Sequence, residues 1–320
     1  MGFGGLAMGF DLAGLKDALD RHGAVSRVVI ADLRGSSPRE VGAAMLVWSS
    51  GQSGTIGGGA LELAAAQAAR TGMTGLTRHA LGPDLGQCCG GAVTLLTEHY
   101  EAADLDEMET DVIARSVGDA GPVEPPLAVR RMLNQARSQG LPPETQLLEG
   151  WMIEPVHRPA RQLWIWGAGH VGRAMVDVLA PMPDLAVTWV DTSPDRFPEQ
   201  RPPGVTVVPA ADPASLVGYA PRDAEHLVLT YSHALDLELC HRLLSHGFRF
   251  AGLIGSASKW ARFRSRLAAL GHAPETIARI TCPIGAPQLG KHPQAIAIGV
   301  AMRLLSSASV EDQQDKDIHA

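Results

Sequence analysis

The stretch Leu163–Arg173, LWIWGAGHVGR, decides the fold: an apolar run breaks into Gly167, Gly169 and Gly172, and Val171–Leu179 then follows with helical spacing. Strand, glycine turn and helix in that order make a cradle for a phosphate. Gly167 permits the tight turn, Gly169 the approach of backbone to a phosphate, and Gly172 the close packing of helix on sheet. The helix N-terminus favours an anion, and Asp191 is placed to accept a hydrogen bond from a ribose hydroxyl. His170, directly after Gly169, either donates to a bound phosphate or is simply the polar, exposed start of the helix. The cradle itself either binds a nucleotide or phosphate ester or is an inherited, empty turn.

Outward from this turn, strand-like runs at Gln162–Trp166, Ala186–Val190, Val205–Pro209, Ala224–Thr230 and Phe250–Ile254 alternate with helical ones at Val171–Leu179, 232–247 and Ser258–Leu270. Such alternation calls for right-handed crossovers and a mainly parallel sheet. The fold class is therefore α/β, with a Rossmann-like C-terminal domain expected over 161–310 and a flexible tail over 311–320. The cradle begins halfway along the 320 residues, so a further domain precedes it.

That first half, expected as a smaller α+β domain over 1–125, reads as a helix at Leu12–Asp20, strands at Val25–Leu33 and Ala43–Trp48, a loop at Gln52–Gly59, a helix at Ala60–Arg70 and a strand at Ala92–Leu96. The loop carries GTIGGG, so Gly57, Gly58 and Gly59 bring amides to a helix N-terminus with no Cβ to exclude a ligand; a sharp, ligand-free turn is the alternative. The run EAADLDEMETD at 101–111 fits the solvated face of a helix. Residues 126–160 read as a linker with connecting elements: a helix at Leu127–Arg137 and strands near Gln146–Pro155.

The vicinal Cys88 and Cys89 sit in QCCGG, followed by Gly90 and Gly91. They are either ordinary buried cysteines or thiolates able to ligate a soft metal, accept sulfur or form a transient mixed disulfide. Cys282, in TCPIG, also lies in a loop, whereas Cys240 amid LELCHRLL reads as core. His233, in TYSHALD, follows the fourth strand of the second domain and is a further candidate, while Asp236 either hydrogen-bonds to a neighbouring side chain or caps or solvates the start of the helix. Basic residues between Arg249 and Arg266 read as the wet face of a helix or a phosphate contact.

A formal charge of -7, without a basic stripe interleaved with aromatics, argues against nucleic acid as a partner. Four cysteines in 320 residues do not form a disulfide framework, and a reducing cytoplasm is the natural setting. No apolar run approaches the roughly 20 residues that span a bilayer, so membrane insertion is not expected. There is no G-x-S-x-G elbow, H-E-x-x-H site or lysine-bearing P-loop.

Taken together, RGSSPREVGAAMLV at 34–47, GTIGGGALE at 54–62, QCCGG at 87–91, GAGHVGR at 167–173, TYSHALD at 230–236, GLIGSASKWARF at 252–263 and TCPIG at 281–285 resemble the xanthine dehydrogenase accessory protein family. The resemblance implies a cytoplasmic carrier of molybdenum cofactor (Mo-molybdopterin) rather than an enzyme that oxidises xanthine. It implies exchange with the xanthine dehydrogenase apoenzyme and with a cysteine desulfurase, and a homodimer. Under it, Cys88 or Cys89 approaches the metal, and Arg39 contacts the cofactor phosphate or makes a scaffold salt bridge. The segment GLIGSASKW departs from the more basic run of relatives. Two rival readings stand beside it: an NAD-dependent oxidoreductase using the second domain, and a cofactor-free interaction scaffold.

Overall fold

Strand β1 (Ala24–Arg34) is buried at every position from Val25 to Ala31, which requires cover on both of its faces. In this computed structural model, which describes residues 9–82, 90–108, 110–117 and 124–318, the chain divides into two units, Met1–Arg158 and Pro159–Ala320. Strand β1 is the centre of the first. It lies in an antiparallel sheet ordered β3-β2-β1-β5-β4 with β2 (Ala44–Trp48), β3 (Gly51–Gly54), β4 (Gly75–Ala80) and β5 (Ala92–Glu101). Val28 and Ile30 meet Leu61, Ala65 and Ala66 of helix α2 (Gly59–Arg70), while Val29 and Ala31 meet Leu96 and Met152 on the opposite face.

Met152 comes from a second antiparallel sheet, β6-β8-β7, made of β6 (Val112–Ser116), β7 (Gln146–Leu148) and β8 (Trp151–Pro155). Strand β8 is buried throughout because its other face, Trp151 and Ile153, packs with Val129 of α3 (Leu127–Gln139). Its hairpin with β7 turns at Glu149 and Gly150, φ 49° and 78°, the left-handed pair that suits a two-residue turn. Helix α1 (Leu12–His22) begins where the Asp11 carboxylate accepts the Gly14 N–H at 2.8 Å; it buries Leu15 and Leu19 with Phe10, Val25 and Tyr100.

Two sequence expectations in this unit need correction. The first half of the expected loop at 52–59 is strand β3, which closes a hairpin on β2. Within the acidic run at 101–111 the helical part is a short 3-10 segment, Ala102–Glu107, which Glu101 and Asp104 cap at its N-terminus with a reciprocal capping box.

In the second unit, strands β9 (Arg161–Trp166), β10 (Leu185–Asp191), β11 (Thr206–Pro209), β12 (Glu225–Val228), β13 (Phe250–Leu253) and β14 (Ile280–Thr281) form one sheet ordered β11-β10-β9-β12-β13-β14. Every pairing is parallel. Counted from β9, this is the 3-2-1-4-5-6 order of dinucleotide-binding sheets. The N-terminal α+β unit and the Rossmann-like C-terminal unit are thus the fold class expected. Helices α4 (His170–Leu179) and α8 (Pro293–Ile318) cover one face, with Met175, Val176, Val300 and Leu304 on Ile165 and Trp189. Helices α5 (His233–His246) and α6 (Ala257–Ala269) cover the other, with Leu239, Leu243 and Phe263 on Trp166 and Leu253. The single turn of α7 (Pro274–Ile277) leads into β14. Cys240 is fully buried in this core, as the sequence predicts.

The two sheets of the first unit are joined by buried charge. Arg27 on β1 makes paired bonds of 3.0 and 2.7 Å to Glu154 on β8. Arg115 on β6 donates to the same Glu154 at 2.6 Å and to both oxygens of Glu98 on β5. The Phe10 ring lies under both guanidinium groups. Burial by itself would raise the Glu154 pKa, but Arg27 and Arg115 outweigh it and hold the carboxyl below its ordinary 4.5. Its contribution to stability is therefore complete above the unfolded carboxylate range and is lost as pH falls through the lower folded value. Replacing Glu154 by Gln leaves Arg27 and Arg115 to share Glu98, which Arg27 approaches only to 3.9 Å, so one buried cation is unmatched and the variant is expected to lose about 3–5 kcal/mol at neutral pH. Urea unfolding checks this, and the gap from the wild type should narrow on acidification; a variant as stable as the wild type at pH 7 would refute it.

Candidate functional site

In the first unit, three of the motif segments meet around the turn at residues 35–39. A Cβ on Gly91, the last residue of QCCGG, would run into the carbonyl oxygens of Ser36 and Arg34, and Gly35 itself has φ 73°. A Cβ on Gly57 would fall 2.7 Å from Pro38 Cγ. The 34–39 segment is thus flanked by both glycine-rich loops, a convergence that their spacing along the chain does not reveal. Gly90 has open space where a side chain would be. Cys88 and Cys89 lie outside the described residues.

The GTIGGG loop does present amides to an anion, and the anion is the chain's own. Ile56 and Gly58 each donate their N–H to one Glu62 oxygen at 3.0 Å, Thr55 Oγ1 reaches that oxygen at 2.5 Å, and Gln52 Nε2 reaches the other at 3.1 Å. Burial works against the charge on Glu62, but the donors from Thr55, Gly58 and Ile56 prevail and hold its pKa low. Gly57, Gly58 and Gly59 are all left-handed, at φ 122°, 74° and 70°. These angles wrap the loop around the carboxylate at the start of α2. Arg39 donates to Glu40 at 3.1 Å, the scaffold alternative raised for it above.

In the second unit the candidate residues gather at the C-terminal edge of the parallel sheet, where open α/β sheets bind ligands. Gly167, after β9, has φ 124°, and a Cβ there would lie 2.5 Å from the Leu229 carbonyl oxygen. A Cβ on Gly172 would strike the Gly167 carbonyl, so the helix start and the turn touch backbone to backbone. The turn is held from below: Gly167 N–H donates to Val190 O at 2.8 Å, and Trp189 Nε1 donates to Gly167 O at 2.9 Å. Arg173 Nε donates to Ala168 O at 3.1 Å.

Asp191 is buried. One carboxylate oxygen accepts the Ala168 N–H at 2.5 Å, and the other accepts Thr192 N–H and Oγ1 at 2.6 and 3.0 Å. It clamps the glycine turn to the end of β10. Gly169, by contrast, is the N-cap of α4 with no side-chain cap and with open space on its Cβ side, and His170 is exposed beside it. This is the geometry that admits an anion to uncapped helix amides. Next to it the Arg196 guanidinium, from the segment after β10, lies 4.9 Å from the ring centre of Tyr231, from the loop after β12.

Two further motif segments are joined by a pair whose partner, Lys259, the sequence did not point to. Asp236, on α5, is fully buried rather than solvated: Lys259 Nζ of α6 donates to it at 2.6 Å, and Thr230 N–H and Oγ1 donate at 3.0 and 2.8 Å. TYSHALD and GLIGSASKW are therefore locked together by charge. The signal available in the sequence was a lone Lys among arginines in α6 and an acid one turn into α5, neither distinctive by itself. TCPIG lies beside the pair: a Cβ on Gly255 would meet Lys259 Cδ at 2.8 Å and Cys282 Sγ at 3.5 Å. Burial pushes the Cys282 thiol up to about 11, with Lys259 opposing. The thiol is protonated at neutral pH, and a metal binding there would have to displace the proton. His233 is exposed at the first turn of α5. Among the described residues no group of three or more His, Cys, Asp or Glu is placed to hold a metal ion, and no helix is long and apolar enough to cross a membrane.

A Rossmann-like sheet with an uncapped glycine turn, preceded by an α+β unit whose glycine loops close on one turn, defines a two-domain class of protein. The chain belongs to the XdhC family by domain architecture and fold: the XdhC and CoxI family matches residues 18–80, and the XdhC Rossmann domain matches residues 163–303. An Escherichia coli (strain K12) protein described as uncharacterized protein YqeB is 31% identical over 151 residues, which are 47% of this chain and 28% of that protein. The chain thus spans less than a third of that relative's length. A solved structure from Bacillus halodurans, described as a xanthine dehydrogenase, superposes with a TM-score of 0.65 at 18% identity, over 95% of this chain and 96% of that one. At that identity the likeness speaks for the fold.

Two glycines of the turn are expected to separate by substitution. Gly167→Ala should destabilise the second unit by about 2–3 kcal/mol through a left-handed backbone and a backbone clash. Gly169→Ala, with φ -71° and open space, should leave the unfolding midpoint nearly unchanged. Thermal unfolding of the two variants side by side reads the difference, and equal loss in both would refute the assignment of the open face to Gly169.

Proposed function

We propose that this protein is a carrier of molybdenum cofactor: it holds the cofactor, keeps it from water while a cysteine desulfurase adds the terminal sulfur, and hands it to the xanthine dehydrogenase apoenzyme in the cytoplasm. The observation that carries the reading is the presence, in one chain and in this order, of the two XdhC-family domains. The cofactor is cargo rather than a resident group. Its elongated anionic pterin needs a phosphate contact and room beside backbone, and the uncapped start of α4 at Gly169 and His170 offers both. Cys88 and Cys89 are the proposed holders of the metal end, since a thiolate suits a soft, sulfur-bound metal. Cys282 and His233, at the sheet edge of the second unit, are further proposed contacts within that unit. The carrier acts as a homodimer in this reading.

The rival oxidoreductase reading has less support. The carboxylate that would receive an adenosine ribose, Asp191, is already engaged by Ala168 and Thr192.

Protein loaded with sulfurated cofactor should activate cofactor-deficient xanthine dehydrogenase faster and more completely than the same cofactor supplied free, without turning over xanthine itself. The Cys88→Ala/Cys89→Ala double variant should fold normally yet retain less molybdenum. Equal activation by free cofactor, together with no complex with the apoenzyme, would count against the carrier role; unchanged molybdenum retention in the double variant would reject cysteine ligation.

A further inference from the structure

Helix α6 concentrates positive charge against the character of the chain. Its thirteen residues, ASKWARFRSRLAA, carry Lys259, Arg262, Arg264 and Arg266 and no acid, in a protein of net charge -7. Lys259, Arg262 and Arg266 follow one another at i, i+3 and i+7, so they stack along one side of the helix, where like charges repel. A solvated helix face ordinarily relieves such repulsion with interleaved acids. Here Lys259 alone is paired, to Asp236, and no ion pair joins Arg262 or Arg266 to a described residue.

These cations line a groove of about 760 Å³ together with His233, Ser256 and Ser258. Among the described residues no carboxylate lines it. The N-termini of α5 and α6 both belong to this place: His233 is the first residue of α5 after its Ser232 cap, and Ser256 caps α6 by accepting the Lys259 N–H at 3.2 Å. Two helix dipoles therefore add to the charge of the side chains. The Ser256 and Ser258 hydroxyls are hydrogen-bonded to each other at 2.9 Å, which leaves one of their two protons for a ligand at the mouth of a cationic groove. Concavity, flanking arginine forks and a hydroxyl donor together match a compact, multiply charged oxyanion.

We infer that the groove between α5 and α6 is a binding site for the phosphomonoester end of a small ligand, with Arg262 and Arg266 as its principal contacts and His233 and the remaining hydroxyl proton of the Ser256 and Ser258 pair as further donors. This site lies along α5 and α6 rather than at the glycine turn itself, and His233 is the residue it shares with the contacts proposed above. It does not rest on the carrier reading, although a pterin bearing a terminal phosphate falls within the ligand class.

The full chain is titrated with inorganic phosphate and with glycerol 3-phosphate, followed by phosphorus NMR and calorimetry at fixed ionic strength. Saturable binding is expected in the wild type, weakened about tenfold or more in Arg262→Ala/Arg266→Ala. Arg264→Ala, which removes a charge from the same helix outside the groove, should have little effect. Circular dichroism confirms that the helices of each variant are intact. Absence of saturable binding in the wild type, or equal weakening by Arg264→Ala, overturns the site and leaves the carrier reading untouched. Molybdenum cofactor titrated into the same variants is a separate arm: failure of the carrier reading appears there as no binding to the wild type, whatever phosphate does.

Discussion

The second unit depends on a contact between two pieces of backbone with nothing between them. At Gly167 the chain leaves β9 and passes so close to the Leu229 carbonyl that no side-chain carbon fits, and Gly172 then closes on the Gly167 carbonyl. These two approaches set where α4 starts and how tightly it lies on the sheet. Trp189 and Asp191 complete the arrangement from β10 by holding Gly167 O and Ala168 N–H. The turn is consequently preformed, and binding an anion at its rim would not have to order it.

The two glycine-rich loops show how one composition serves opposite ends. In GTIGGG the amides are turned inward onto Glu62, a carboxylate supplied four residues after Gly58. In GAGHVGR the amides at the start of α4 have no side-chain cap. A carboxylate bound in the first loop fixes the entry to α2 and offers a ligand little that is unspent. The second leaves its donors for solvent or for a guest. Glycine count alone cannot distinguish them; the position of an acid one turn into the following helix does.

The Rossmann-like half was legible because its strands and helices alternate strictly and its glycine turn has a distinctive spacing. The antiparallel half was less so. Strand β4, GLTRHA, and strand β6, VIARS, were not anticipated, since each is short, half-buried and interrupted by charge. Their places come from cross-strand partners, the next strand β5 for one and the more distant β8 for the other. Strand β3, GQSG, has no apolar residue at all and is a strand only because β2 supplies its ladder. Much of the candidate site was legible as motifs, yet the joints between motifs were not. Asp236 with Lys259, and Glu62 with the Ile56 and Gly58 amides, are pairings that only three-dimensional proximity reveals.

Charge is distributed in this protein according to how far it is from water. In the core of the first unit Arg27, Arg115, Glu98 and Glu154 are matched acid for base, because an unmatched ion there would carry the full cost of desolvation. At the half-sheltered edge of the second unit one pair, Asp236 with Lys259, is matched and joins α5 to α6. Along the open side of α6 matching stops, and Arg262 and Arg266 face a groove with no acid among the described residues of its wall. Water makes such an imbalance tolerable there, whereas the interior would not. The same exposure makes those charges available, so the gradient from matched to unmatched runs from what holds the fold toward what can meet a ligand.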